Sequence, residues 1–332
     1  MARKANLRTP EQLNLATRGS ALALRQAAIV ADLVTEAYPS IEVRITTVST
    51  SGDRDKIRPF AALGGKGLFT AEVERAVEEG RADVAVHSAK DLTAGLAPGC
   101  VLIGIPARGP VHDVVVGGGG GDGDERLGAL PSGARVGTSS MRRRALLAEV
   151  RPDLELVELR GNLDTRLRKV AAGEVDAAVL AAAGIGRLHG TADAVGGRLD
   201  PTWWVPAPGQ GALAVEGRAD RDDLVALFGS LSDRRTWTEL ACERAFSEAL
   251  EGGCSVPLGC HARAGARGLL VTGYLGWPGG AQGLRDRISG PPSEAAALGR
   301  ELAGALLDSG GRDILEELRA AAEDEVPEIA PP

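Results

Sequence analysis

Apolar positions along the chain change period repeatedly, and each change marks an element. Leu15-Ala16-Thr17 reads as a short strand, and a helix opens at Gly19 or Ser20 and runs to Ala37, stopped by Pro39. Ile41, Val43, Ile45 and Thr47 then alternate with polar neighbours, the period of a half-buried strand. Past the turn Gly64-Gly65-Lys66-Gly67, helical spacing returns from Thr70 to Glu79 through Val73, Ala76 and Val77. The next strand, Asp83 to Val86, delivers His87-Ser88-Ala89-Lys90-Asp91 to its carboxyl end. Open parallel sheets bind ligands just beyond the carboxyl ends of their strands, so Lys90 and Asp91 stand where chemistry is expected.

A second unit follows the glycine run from Gly117 to Gly121. Its elements are a helix at Ser139, a strand from Leu154 to Leu159, a helix at Asn162 and an apolar strand from Ala177 to Ala182. Alternation of strand and helix makes both units doubly wound α/β. Pro201 to Pro208 reads as a crossover, and Gln210 to Glu216 as a strand returned to the first unit. The last third changes character: a helix from Thr236 to Glu251, three strands between Leu258 and Ser289, and a closing helix from Glu294 to Leu307 describe an α+β domain. The expected organisation is residues 12–107 with 209–229, then 108–205, then 232–322, with an acidic, disordered tail over 323–332.

Composition narrows the function. The 332 residues are 44% hydrophobic and 25% charged, as in a globular protein large enough for two or three domains. A net charge of −7 and only 3% aromatic residues argue against a nucleic-acid partner, which needs a basic field and stacking surfaces. The polar amino end and the lack of any membrane-length apolar run lead us to expect a cytoplasmic protein with no membrane partner. Cys100, Cys242, Cys254 and Cys260 show no paired zinc-knuckle spacing and are expected as free thiols, with no metal.

Against that acidic background, arginines concentrate at two helix starts, Thr138-Ser139-Ser140-Met141-Arg142-Arg143-Arg144 and Arg160-Gly161-Asn162-Leu163-Asp164-Thr165-Arg166. A helix N-terminus already carries partial positive charge, so each exposed cation there costs about 0.3–1 kcal/mol unless an anion joins it. One arginine run is an ordinary solvated helix face; two at successive strand-to-helix junctions indicate an anion pocket. Lysine occurs only at positions 4, 56, 66, 90 and 169, which makes Lys66 and Lys90 stand out as chosen point charges. Cys254, after Gly252-Gly253 beyond a helix end, reads as a presented thiol, although a lone cysteine is ordinarily a small buried apolar residue. Asp122 and Asp124 in the glycine run suggest calcium only weakly, and a flexible loop is the expectation.

Seven segments in chain order resemble the porphobilinogen deaminase (hydroxymethylbilane synthase) family. They are Ala16-Thr17-Arg18-Gly19-Ser20, Gly64-Gly65-Lys66-Gly67-Leu68-Phe69, Val86-His87-Ser88-Ala89-Lys90-Asp91, Val136 to Arg143, Leu159-Arg160-Gly161-Asn162 with Thr165-Arg166, Pro206 to Ala212, and Glu251 to Pro257. The resemblance implies two lobes like those of type 2 periplasmic binding proteins, plus a C-terminal α+β domain with a three-stranded sheet. It implies a monomeric transferase that joins four porphobilinogen molecules head to tail into hydroxymethylbilane, releasing ammonia at each addition. The primer would be a dipyrromethane cofactor held by a thioether to Cys254. Thr138, Ser140, Lys90, Arg142 and Arg143 would hold its carboxylates, with Arg18, Ser20, Lys66, Arg160 and Arg166 toward the substrate. Guanidinium forks suit such polycarboxylates because they bind carboxylates bidentately. Asp91 matches the catalytic carboxylate, which would stabilise the azafulvene left by ammonia and handle protons.

The chain departs from the family pattern at Ala62, Thr93 and His112, where lysine, proline and arginine are common, and Arg58 could replace the charge missing at Ala62. The alternative is a divergent, non-catalytic anion-binding protein of the same two-lobed build, in which a third domain bearing Cys254 has no role. A phosphoryl-transfer enzyme lacks its P-loop and metal-binding acids here.

Overall fold

The computed structural model describes residues 9–50, 70–93, 95–192, 195–252, 256–277 and 282–324. They divide into two compact units, one combining the described residues up to Gly109 with Gly211–Trp237, the other combining Pro110–Gln210 with the described residues from Thr238 onward. Lys66, Cys254, Arg58 and Ala62 lie outside the described residues, as does the tail beyond Asp324.

The first unit is a five-stranded sheet in the order β2 (Glu42–Val48), β1 (Gln12–Arg18), β3 (Val84–Ser88), β10 (Leu213–Arg218), β4 (Cys100–Gly104). β1 runs parallel to β2 and β3, whereas β10 is antiparallel to β3 and β4, so the return strand read from Gln210 to Glu216 does enter this sheet. The centre is covered on both faces, which is why Val84, Ala85 and Val86 form a continuous apolar run. Helix α1 (Ala21–Ala37) supplies Ala27, Val30 and Val34 to one face, and α2 (Ala71–Glu78) supplies Val73, Ala76 and Val77 to the other. β2 is an edge strand and is less buried than its alternation suggests, with Ile45 38% exposed.

The second unit repeats that strand order in β7 (Glu155–Val157), β6 (Arg135–Gly137), β8 (Ala177–Ala181), β5 (Asp113–Gly117), β9 (Gly197–Arg198), again with three parallel strands followed by an antiparallel one. The glycine run is a built turn. Gly117, Gly118, Gly119 and Gly121 all take positive φ, and Asp122 closes a capping box with Glu125 at the start of α3 (Gly123–Ala129). Capping gives Asp122 a structural role where the sequence suggested calcium or a flexible loop. Helix α4 (Met141–Val150) follows β6, α5 (Leu163–Ala171) follows β7, and α6 (Ala182–His189) follows β8. An antiparallel sheet of β11 (Leu258–Gly265), β12 (Gly268–Leu275) and β13 (Leu284–Gly290) belongs to the same unit.

Helix α7 (Asp222–Ser230) belongs to the first unit; α8 (Arg234–Ala249) packs Cys242 and Phe246 into the core of this sheet, and α9 (Ala295–Leu306) adds Leu298, Leu302 and Leu306. The helix expected to close the chain is not the last. A kink at Gly310 (φ 110°) admits α10 (Arg312–Asp324), whose Ile314 and Leu315 are buried in the same core, so residues 323 and 324 are helical. Fully buried Glu243 of α8 accepts the Gly209 amide at 2.7 Å and the Ala262 amide at 2.9 Å, tying the crossover to the three-stranded sheet. Half-buried Arg285 of β13 grips Glu149 of α4 through two bonds of 2.6 and 2.9 Å. Cys100, Cys242 and Cys260 are buried free thiols. Among the described residues no helix is long and apolar enough to cross a membrane.

Candidate functional site

In the first unit the carboxyl ends of β1 and β3 open onto one cavity. Ser20 caps α1, accepting the Ala23 amide at 3.2 Å, and Arg18 ends β1 beside it. The chain leaves β3 in a single 3-10 turn, Ala89–Asp91, and the Ala89 amide donates to Ala212 O at 3.0 Å, fixing that turn to the segment before β10. Asp91 and Lys90 are exposed, and Asp91 lines the cavity with Arg18, Ser20, Gln26 and His87. Gln26 is buried and bonds Ser88 in both directions, at 2.8 and 3.2 Å, so the wall of the cavity is held by neutral hydrogen bonds.

Strand alternation sends His87 to the other face of β3, where its Nε2 lies 3.1 Å from Glu216 Oε2 with side chains 4% and 0% exposed. Glu74 of α2 reaches the same region; burial, then the Glu216 charge, raises its carboxyl above the ordinary value, with Thr70 and His87 acting the other way. Burial and Glu216 push the Cys100 thiol up to about 11.

In the second unit both arginine runs sit at the carboxyl ends of neighbouring parallel strands, β6 and β7. Ser140 caps α4, its Oγ 3.5 Å from the Arg143 amide, and Thr138 Oγ1 accepts the Ser140 amide at 3.2 Å. Arg142 and Arg143 turn inward. Asp113, fully buried in β5, receives five hydrogen bonds: one from Arg142 (2.7 Å), two from Arg143 (2.7 and 3.1 Å), one from Trp204 Nε1 (2.8 Å) and one from Gln210 (2.9 Å). Burial alone would raise the Asp113 carboxyl, but the charges of Arg143 and Arg142 hold it far below the usual carboxylate range. Two of the three arginines in this helical turn therefore find their anion inside the protein. Arg144 donates to Leu156 O at 3.2 Å.

At the second junction Gly161 takes φ +108°, a conformation that a side chain resists, and so lets Arg160 and Arg166 flank the turn. Arg160 pairs with Glu158 at 2.8 Å, and Arg166 donates to Gly161 O at 2.9 Å. Of the residues named from sequence, Arg18, Ser20, Lys90 and Asp91 gather in the first unit and Thr138, Ser140, Arg142, Arg143, Arg160 and Arg166 in the second. Asp113, Trp204, Gln210, His87 and Glu216 had no assigned role. A charged residue inside an apolar strand, as in Asp113-Val114-Val115-Val116 or Leu213-Ala214-Val215-Glu216, is the signal that marks such groups.

The fit to a polycarboxylate cofactor can be judged from the donors themselves. Buried Arg142 keeps Nε without a hydrogen-bond partner among the described residues, beneath a helix N-terminus lined with hydroxyls. A spare buried cationic donor there suits a carboxylate. Among the described residues no group of three or more His, Cys, Asp or Glu side chains could hold a metal ion.

Two α/β sheets of one strand order, each presenting cationic groups at strand carboxyl ends, and one also presenting an acid, define an enzyme built for anionic substrates. Residues 13–226 match the family model "Porphobilinogen deaminase, dipyromethane cofactor binding domain", and residues 237–308 match the porphobilinogen deaminase C-terminal domain. The porphobilinogen deaminase of Roseiflexus sp. (strain RS-1) is 44% identical over 305 residues, covering 92% of this chain and 99% of that protein. That of Syntrophus aciditrophicus (strain SB) is 44% identical over 306 residues, covering 92% and 98%. Among solved structures, the methionine-binding protein MetQ aligns over 71% of this chain and 95% of its own, at 14% identity and a TM-score of 0.43. The chain belongs to the porphobilinogen deaminase family; it is a transferase with a dipyrromethane cofactor binding domain.

Proposed function

We propose that this protein condenses four porphobilinogen molecules head to tail into hydroxymethylbilane in tetrapyrrole biosynthesis, as a cytoplasmic monomer primed by a dipyrromethane on Cys254. The observation that carries this reading is the cavity shared by Asp91, Arg18 and Ser20 at the ends of β1 and β3. Arg18 and Ser20 bind a substrate carboxylate there. Asp91, on a turn pinned by the Ala89 to Ala212 bond, presents its carboxylate to a pyrrole N–H and stabilises the positive charge that develops when ammonia leaves. In the second unit, Thr138, Ser140 and the donors that Asp113 leaves over on Arg142 and Arg143 hold cofactor carboxylates, and Arg160 and Arg166 take those of the substrate; in the first unit Lys90 is the point charge for a cofactor carboxylate. The bound cofactor supplies the nucleophilic pyrrole carbon that begins each product chain. Asp113 keeps two cations in place in a buried site without neutralising every donor.

The test is turnover of porphobilinogen by the purified protein, with ammonia measured alongside. One ammonia per porphobilinogen consumed and a linear four-ring product are expected. Binding of porphobilinogen without ammonia release would favour the non-catalytic anion-binding alternative.

A further inference from the structure

A buried acid–base pair in the first unit has one member, His87, that also lines the cavity. His87 lines the cavity that Asp91, Arg18 and Ser20 line, and its ring is anchored at Nε2 by Glu216, 3.1 Å away and fully buried. Taking two ionisable groups out of water is costly, and an apolar pair of similar volume would serve packing at least as well. Glu216 occupies Nε2, so Nδ1 is the nitrogen left to exchange a proton with the cavity.

Glu216 of β10 bonds the ring and Glu74 of α2 acts on it through its charge, with Cys100 of β4 beside those two acids; Arg18 of β1, Asp91 of the turn and the neutral Gln26 of α1 line the same cavity as His87. Burial favours the neutral forms of Glu74 and Cys100. Glu216 is the acid hydrogen-bonded to the ring.

Resting on the proposed activity, we propose that the His87–Glu216 pair holds the proton that each condensation releases. The C–N bond of the protonated aminomethyl group breaks with its electrons going to nitrogen, and the neutral ammonia so formed stays in the cavity. The acceptor pyrrole forms the new C–C bond through its α-carbon, then loses its α-hydrogen as a proton while the C–H electrons restore the ring. His87 takes that proton directly or through Asp91 and returns it to the departing ammonia, which leaves as ammonium. The imidazole is restored within one cycle, and Asp91 stays anionic for the next.

The experiment compares the unsubstituted protein with H87Q and E216Q, using porphobilinogen with hydrogen or deuterium at its free α-carbon; circular dichroism and intact mass establish that each variant is folded and carries the adduct. For H87Q the expected result is a kcat lowered by about 10²-fold or more, the range of general acid–base catalysis, with KM little changed and a larger deuterium effect than in the unsubstituted protein. For E216Q, which removes the carboxylate that anchors the ring at Nε2, kcat should fall with KM little changed and the deuterium effect should rise as in H87Q. A folded, adduct-bearing H87Q with unchanged kcat, or with a lowered kcat and no change in isotope effect, overturns the proposal while leaving the activity intact. A folded E216Q with kcat and isotope effect identical to the parent overturns it as well, should H87Q not fold. Absence of turnover in the unsubstituted protein overturns the activity and this inference with it.

Discussion

Replacing Asp113 with asparagine should unfold the second unit's site from inside. The carboxylate is fully buried and accepts five hydrogen bonds, three of them from the buried guanidiniums of Arg142 and Arg143. Asparagine keeps one acceptor oxygen, points an N–H₂ at guanidinium groups that only donate, and leaves two buried cations without their counter-charge. Breaking a buried pair in this way costs about 3–5 kcal/mol. For a unit of this size that is a fall of about 6–20 °C in the thermal midpoint. Urea titration followed by tryptophan fluorescence reads the change directly, because Trp204 donates to the substituted atom. W204F, which removes one donor to a charged acceptor, should cost less, about 1.5–3 kcal/mol. Adding R143M to D113N should recover part of the loss by deleting one uncompensated charge.

Acid titration supplies a second arm. The folded carboxyl lies below its ordinary value of 3.8, so the unfolded chain binds more protons there and the pair's contribution, complete above that value, falls as pH drops below it. D113N should flatten the stability profile in that acid window. A midpoint change under about 1 kcal/mol would place the variant among ordinary surface substitutions and refute the reasoning.

Other consequences follow from the same geometry. D91N should retain the pyrrole adduct yet lose about 10²–10⁴-fold in kcat, a prediction that near-normal turnover in the purified variant would sink. G161A forces a side chain onto a backbone at φ +108°, where its Cβ would meet Thr165 Cγ2 at 2.7 Å; a several-fold higher KM is expected, and an unchanged KM would detach Arg160 and Arg166 from substrate binding. R285M removes both bonds to Glu149, so urea denaturation should show a loss of about 1.5–3 kcal/mol, and no loss would mean the bridge is ornamental.

Much of the first unit was legible in the chain because its central strands are buried on both faces and its first helix carries a clear cap. Ser20, Ser140 and Asn162 each cap a helix where the sequence put one. The glycine run was harder, since a composition of glycine and aspartate suits a flexible linker, and the left-handed path that makes it a turn is visible only in its φ values. Helix α10 escaped because its apolar face is narrow, with Ile314 and Leu315 as its buried contacts. The arginine cassette was found for a reason only partly correct. Misplaced cations do demand an anion, but for Arg142 and Arg143 the chain supplies one across 29 and 30 residues, from a strand that alternation did not reveal. His87 and Glu216 stand 129 residues apart, and their meeting depends on β10 pairing antiparallel with β3.

The central claim is a transferase primed by a pyrrole chain on Cys254. Intact mass of the purified protein, with peptide mapping around that residue, tests it most directly. The account predicts an adduct of two pyrrole rings on Cys254, lengthening by whole pyrrole units when porphobilinogen is added. A bare Cys254 thiol that persists after incubation with porphobilinogen or preformed hydroxymethylbilane would contradict it.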